Sequence, residues 1–342
     1  MKARKVAIWA VSLLLMDALA SPAPAQDIKW KGTDDYKGYM AAYDEKDLAK
    51  KAVAAEAFLA TFTVDKTDPL ARQEMYMTLI KTYYAGGNFE KAVESADKQA
   101  TLAPNLPTAD KNMVLLLGMD SASQSRNTKK TDEYARKILA VDPKHAIALV
   151  MLSAALEHSI PANPADHAKH FEETLSITRR ALAEPMPRGY TPAQWNVDKV
   201  HLNLTAAFVL LNQKQYPESI AASRAALAVD NKTGRAWYLI ALASRPGFND
   251  ANKKYVEAVR YYNDHRGDGQ LIADDAKATS DGLLKSAESR KEEYLDALAR
   301  AAVLPGENQK DARKDLAAAF TGTPAELAQL LADKKAAVDA GN

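Results

Sequence analysis

The sequence predicts an all-α chain, a solenoid of stacked helical hairpins closed by a C-terminal helical cap. Three observations carry that expectation. From Asp34 onward, apolar residues recur at intervals of three and four, the period of amphipathic helices. Breakers at Pro69, Pro104, Pro143, Pro185 and Asp230-Asn231 stand 35 to 46 residues apart, with two helical stretches and a short polar turn between successive ones. Alanine supplies about a fifth of the 342 residues while β-branched residues are sparse, which favours helix over strand. One hairpin cannot bury its own apolar face, so self-similarity at this period implies stacking.

The first element is an address rather than a structural helix. Lys2, Arg4 and Lys5 precede a short apolar run from Val6 to Met16, and Ala23-Pro24-Ala25 places small residues where a signal peptidase reads them. Residues 1–25 are therefore expected to be a cleaved export signal, with cleavage after Ala20 as the second choice. Loss of Lys2, Arg4, Lys5 and Asp17 takes the formal charge from +1 to −1. A near-neutral chain without a basic run is a poor ligand for nucleic acid. No later stretch is apolar enough to span a bilayer, so the expected location is the bacterial periplasm or the cell exterior.

The hairpins follow in order. A pair over Tyr36 to Phe62 opens the chain. Helices are then expected at 69–85, 88–102, 108–124, 128–140, 145–158, 164–184, 192–213, 216–229, 233–245 and 251–264. Their starts carry capping chemistry: Thr191-Pro192-Ala193-Gln194 and Thr323-Pro324-Ala325-Glu326 read as capping boxes, and Asp68-Pro69 and Asn163-Pro164 make similar starts. After Gly267-Asp268-Gly269 aromatic residues nearly vanish. Leu283, Leu284, Ala287, Tyr294, Leu295 and Leu298 form one apolar stripe, and two shorter ones flank Thr321-Gly322-Thr323. This organises the chain as 1–25 signal, 26–268 repeat domain and 269–342 helical cap or small helical module.

The segment from Tyr76 through Leu79-Ile80, Tyr83-Tyr84, Gly87-Asn88-Phe89 and Ala92-Val93 to Pro104 resembles a tetratricopeptide repeat. A second copy runs through Ala206-Ala207, Leu210-Leu211, Tyr216 and Ala226-Leu227 to Asp230. A third opens at Trp237 and resumes, after a longer turn, at Tyr255 and Ala258. The unit with Gly118-Met119 and the hairpin of residues 145–184 depart from the pattern. The resemblance covers about residues 34–265, and the opening stretch from Tyr36 to Phe62 resembles the first helical pair of exported bacterial members of that family. The resemblance implies a right-handed superhelix, small residues at Ala92, Ala207 and Ala258 where paired helices approach, and a concave groove lined by the first helix of each hairpin. Carried over residue by residue, the groove positions are Glu74, Met77, Lys81 and Tyr84 in one repeat, His201 and Leu204 in another, and Arg235 and Tyr238 in a third, with Arg245 close by. Phe208, Leu211 and Leu242 occupy groove positions too and are expected to serve packing. Tyr84, Arg235 and Tyr238 are the expected anchors, exposed on one continuous surface, for protein or peptide segments of envelope components.

Catalytic motifs are missing. The chain has no cysteine, which removes thiol nucleophiles and Cys-type metal sites. It carries no Gly-rich phosphate loop after a strand, no Gly-x-Ser-x-Gly elbow and no His-Glu-x-x-His helix. His167, His170 and Glu173 lie at successive turns of one helix and are weak candidates for a metal, because residues three apart share a face. The expectation is a non-enzymatic binding scaffold without cofactor. The alternative is a helical-repeat envelope enzyme or metal-dependent factor, resting on those two histidines.

Overall fold

The structure, a computed structural model, describes residues 28–102, 108–267 and 270–340; the expected export signal lies outside them. Among the described residues the chain is all-α, with no strand. The helices are α1 (Thr33–Asp44), α2 (Leu48–Thr61), α3 (Pro69–Ala85), α4 (Phe89–Leu102), α5 (Thr108–Gln124), α6 (Thr128–Val141) and α7 (Ala146–His158). They continue as α8 (His167–Ala183), α9 (Pro192–Asn212), α10 (Tyr216–Val229), α11 (Gly234–His265), α12 (Gln270–Val303), α13 (Gln309–Ala319) and α14 (Pro324–Asp339). No helix among the described residues is long and apolar enough to cross a membrane.

Two compact units result. The first runs to His170 and takes in Arg179–Trp195, while the second comprises Phe171–Thr178 and the chain from Asn196 onward. In the first unit α1 to α7 pack one against the next, and α1, α3, α5 and α7 also touch in succession. The leading helices of the hairpins thus form a row, as stacking requires.

The hairpin turns repeat in atomic detail. The Asn88 amide donates to the Tyr83 carbonyl at 2.8 Å, Asn127 to Ala122 at 2.8 Å and Gln215 to Leu210 at 2.9 Å. The residues just before these donors, Gly87, Arg126 and Lys214, have φ of 73°, 59° and 61°. Each is a helix end closed by a left-handed residue with a six-to-one hydrogen bond. The returning turns match as well: the Lys144 amide donates to Asp142 at 3.1 Å and the Lys232 amide to Asp230 at 3.0 Å. The expected caps also form. The Thr323 amide donates to Glu326 at 2.7 Å and the Thr191 amide to Gln194 at 2.7 Å, while Asp68 accepts from Leu70 and Asn163 from Ala165.

Gly118, a departure from the repeat pattern, has a packing reason. A Cβ there would meet the Tyr134 ring at 2.8 Å, so only glycine lets that buried ring lie against α5.

In the second unit, Phe171 and Leu175 of α8 pack on Ala206, Val209 and Leu210 of α9. Leu204 and Ala207 of α9 pack on Ala226 of α10 and on Ala236 and Leu239 of α11. Ile240 and Ala241 of α11 then join Tyr294, Ala297 and Leu298 of α12 and Ala312 and Leu316 of α13.

Two expectations need correction. The helix expected over 164–184 opens with a 3₁₀ turn, Pro164–Asp166, before α8. More consequentially, the third hairpin does not exist: residues 233–245 and 251–264 belong to one helix, α11, with Pro246 inside it. Proline withholds the amide that would bond the Leu242 carbonyl, a defect of about 3 kcal/mol in a helix interior. Partner packing outweighs it. Phe248, Ala251, Tyr255, Ala258, Tyr262 and His265 are half-buried at spacings of three and four. α12 runs antiparallel beside them, its Ala276, Ser280 and Ala287 buried and its Tyr294 ring stacked 6.1 Å from Phe248. A turn near residue 248 would break this seam. Ala258 therefore stands on the α11–α12 seam, half-buried, and not at a close contact inside a hairpin.

Candidate functional site

The groove positions fall into two sets, one in each unit. On α3, Glu74 and Lys81 are half-buried, whereas Met77 and Tyr84 are buried. The Tyr84 hydroxyl donates to the carboxylate of Asp120 on α5, inside the row of leading helices. Asp120 is fully buried and its other oxygen, Oδ1, has no partner. Burial pushes this carboxyl up to about 6, against the opposing effect of hydrogen bonds from Tyr84 and Gln124. Tyr84 and Met77 are thus interior side chains. The expectation of Tyr84 as an exposed anchor is overturned, because its ring and hydroxyl bridge two hairpins.

Its neighbour Tyr83 faces a different environment. A cavity of about 370 Å³ between α2, α3 and α4 is lined by Glu56, Tyr76, Leu79, Tyr83, Lys91 and Lys98 among others. The Tyr83 hydroxyl donates to Glu56, and the Lys91 ammonium lies 3.3 Å from Glu56 and 5.0 Å from the Tyr83 ring centroid. The Tyr83 hydrogen bond, helped by Lys91 and opposed by desolvation, holds the Glu56 carboxyl below its usual range. The repeat pattern flagged the Tyr83-Tyr84 pair; that both are buried, Tyr84 against α5 and Tyr83 against α2, could not be read from it.

In the second unit, His201 and Phe208 of α9 are half-buried and Leu204 is buried among the alanines of α10 and α11. Leu204 is therefore packing, and the groove reading is corrected there too. On α11 the positions Arg235, Tyr238, Leu242 and Arg245 follow at spacings of three and four, so they share one face. The Arg235 guanidinium lies 5.9 Å from the Phe208 ring centroid, a cation–π contact across α9 and α11. The Tyr238 hydroxyl donates to Asp315 of α13 at 3.0 Å, and burial together with that carboxylate pushes the phenol up to about 12. Arg245 is exposed. Sequence reasoning missed Asp315, which lies far along the chain from Tyr238 and carries no local signal.

His167 and His170 are each held by backbone. The Nε2 atoms lie 2.9 Å from the Pro161 and Leu156 carbonyls respectively, so the two rings tie the start of α8 to the preceding loop and to the end of α7. Among the described residues no group of three metal-ligating side chains converges, Glu173 included.

No family model matches the chain, and no curated protein matches it. Among solved structures, it is similar to a crystal structure of MamA protein, with 16% identity over 65% of this chain and 91% of that one and a TM-score of 0.37. It is also similar to the apo form of RapI, with 12% identity over 75% of this chain and 99% of that one and a TM-score of 0.37.

Proposed function

We propose that this chain is a non-enzymatic scaffold or adaptor that captures protein or peptide segments, working in the bacterial periplasm or cell envelope after removal of its first 25 residues. The observation that carries the reading is the stripe on α11. Arg235 is held against Phe208, Tyr238 is held by Asp315, and exposed Arg245 extends the same face. Side chains fixed before binding lose little freedom when a partner arrives, and Arg and Tyr are the types that dominate binding surfaces. Arginine offers a planar fork of donors for a carboxylate or a main-chain carbonyl, and the half-buried tyrosine supplies a rigid apolar wall.

The test is affinity capture from a bacterial envelope fraction, comparing the wild-type chain with an Arg235→Ala/Arg245→Ala variant of equal melting temperature. A partner retained by the first and lost by the second is the expected result. An identical set of captured proteins would move the binding surface off α11. Mass spectrometry of the exported chain reads the location: a new N-terminus at Gln26 is expected, and an intact Met1 in the membrane fraction would overturn it.

A further inference from the structure

A trough on the second unit is lined by none of the residues of the α11 stripe. It encloses about 550 Å³ between α12, α14 and the residues joining α13 to α14. Its floor is apolar, built from Leu295, Phe320 and Leu330, all only half-buried. Its lining holds four carboxylates, Glu288, Glu292, Glu293 and Asp296, against the two ammonium groups of Lys291 and Lys334.

The charges are arranged unevenly. Elsewhere on α12 and α14 carboxylates meet a cation four residues away, as in Lys277–Asp281 and Lys335–Asp339. Within the trough, Asp296 is neutralised by Arg300 at 3.0 Å and by Lys334 at 2.6 Å, Glu293 meets Arg290 at 3.9 Å, and Lys291 donates to Thr321. Glu288 and Glu292 are exposed and stand four apart on one face, with Asp296 four further on. Neither of these glutamates pairs with a cation among the described residues. Like charges at this spacing repel along a helix. A half-buried apolar floor and two unpaired glutamates at its rim are both relieved by one kind of occupant.

We propose that this trough docks a basic segment of a partner protein, in which a large apolar side chain enters between Leu295, Phe320 and Leu330 while flanking Lys or Arg residues meet Glu288 and Glu292. The volume suits one or two such side chains, in the range of ligand pockets generally. Charge complementarity at the rim selects the partner and speeds encounter, and the apolar insertion holds it. This surface shares no lining residue with the α11 stripe.

The test uses the exported chain and a fluorescein-labelled peptide, Lys-Lys-Leu-Lys-Phe-Leu-Lys-Lys, beside its counterpart with every Lys replaced by Glu. Anisotropy is expected to show binding of the first peptide and none of the second. Glu288→Gln/Glu292→Gln should weaken binding about tenfold with melting unchanged, since both side chains are exposed. A photo-reactive Phe in the peptide should cross-link to residues of α12 or α14. Binding of the acidic peptide, unchanged affinity in the double variant, cross-links outside the trough, or a trough occupied by a second copy of the chain would each overturn the proposal. Phe320→Ala probes the floor separately, and if it unfolds, the glutamine pair and the cross-link map decide alone.

Discussion

The α3–α4 hairpin and the α11–α12 pair both begin in sequence that reads as a repeat, and they fold differently. In the first, Gly87 adopts a left-handed conformation and the chain reverses within a few residues. In the second, the place for a turn holds Pro246 and Gly247, and the helix runs on to His265. The two strongest helix breakers failed to break a helix because α12 offers a matching seam along the whole length of α11. The regions also differ in their polar groups. Both carry exposed ion pairs, such as Lys98–Glu94 on α4 and Lys277–Asp281 on α12, but the hairpins also bury Asp120 against Tyr84. Exposed pairs of that kind contribute little each, so the long pair is held by its seam and the hairpins by tight interior contacts.

The largest expected effect tests the hairpin interior through pH. A raised folded-state carboxyl binds its proton more tightly than the unfolded chain does, so its contribution is present below the ordinary value of 3.8 and lost as pH rises through about 6. Asp120→Asn keeps an acceptor for Tyr84 and removes the titration. The variant should gain about 3 kcal/mol over the wild type at pH 8 and nothing at pH 3.5, measured by urea unfolding. A parallel pH profile for the two proteins would mean that Asp120 is better solvated than its burial indicates.

Close packing comes next. Ala207 is fully buried, and its carbonyl accepts from Ser219 of the paired helix at 2.8 Å. Leucine there should destabilise by about 1–3 kcal/mol through overpacking, while leucine at exposed Ala225 should change little. Equal melting temperatures for the two variants would break the contrast between interior and surface of the α9–α10 hairpin.

Pro246→Ala addresses the other half of the comparison. Restoring the amide should stabilise by about 1–2 kcal/mol if the seam carries α11 through an ordinary helical path. Loss of stability would show that the seam depends on a proline-imposed bend. The smallest effects belong to the turns. Gly87→Ala should destabilise by about 1 kcal/mol, and Lys214→Gly should stabilise by about 0.5 kcal/mol, because both residues sit at positive φ. Thermal melts of the pair read both signs at once.

Much of the fold was legible because its signals are local. Asp68-Pro69, Thr191 to Gln194 and Thr323 to Glu326 cap helices with atoms only a few residues apart, and the structure uses all of them. The candidate site was legible only in part. Helical spacing correctly gathers Arg235, Tyr238 and Arg245 onto one face of α11, since that face depends on the helix alone. That Tyr84 is interior depends on what α5 presents, and Asp120 supplies that answer. Arg126 and Lys214 occupy the same turn as Gly87, yet neither residue type announces a left-handed backbone.

By itself the sequence determined the helical class, the hairpin period, most helix starts and the absence of thiol chemistry, because these follow from composition, short-range hydrogen bonding and spacing along one chain. Only the tertiary structure decided that Pro246 lies inside a helix, that Tyr84, Met77 and Leu204 are interior, and that Glu288 and Glu292 border an apolar trough. Each of those outcomes is a contest between a local preference and burial against a distant segment. A proline defect of about 3 kcal/mol is smaller than the gain from burying several side chains along a continuous seam, at about 1.5–3 kcal/mol for each large one. The partner that wins the contest is tens of residues away, so no window of sequence contains both sides of it.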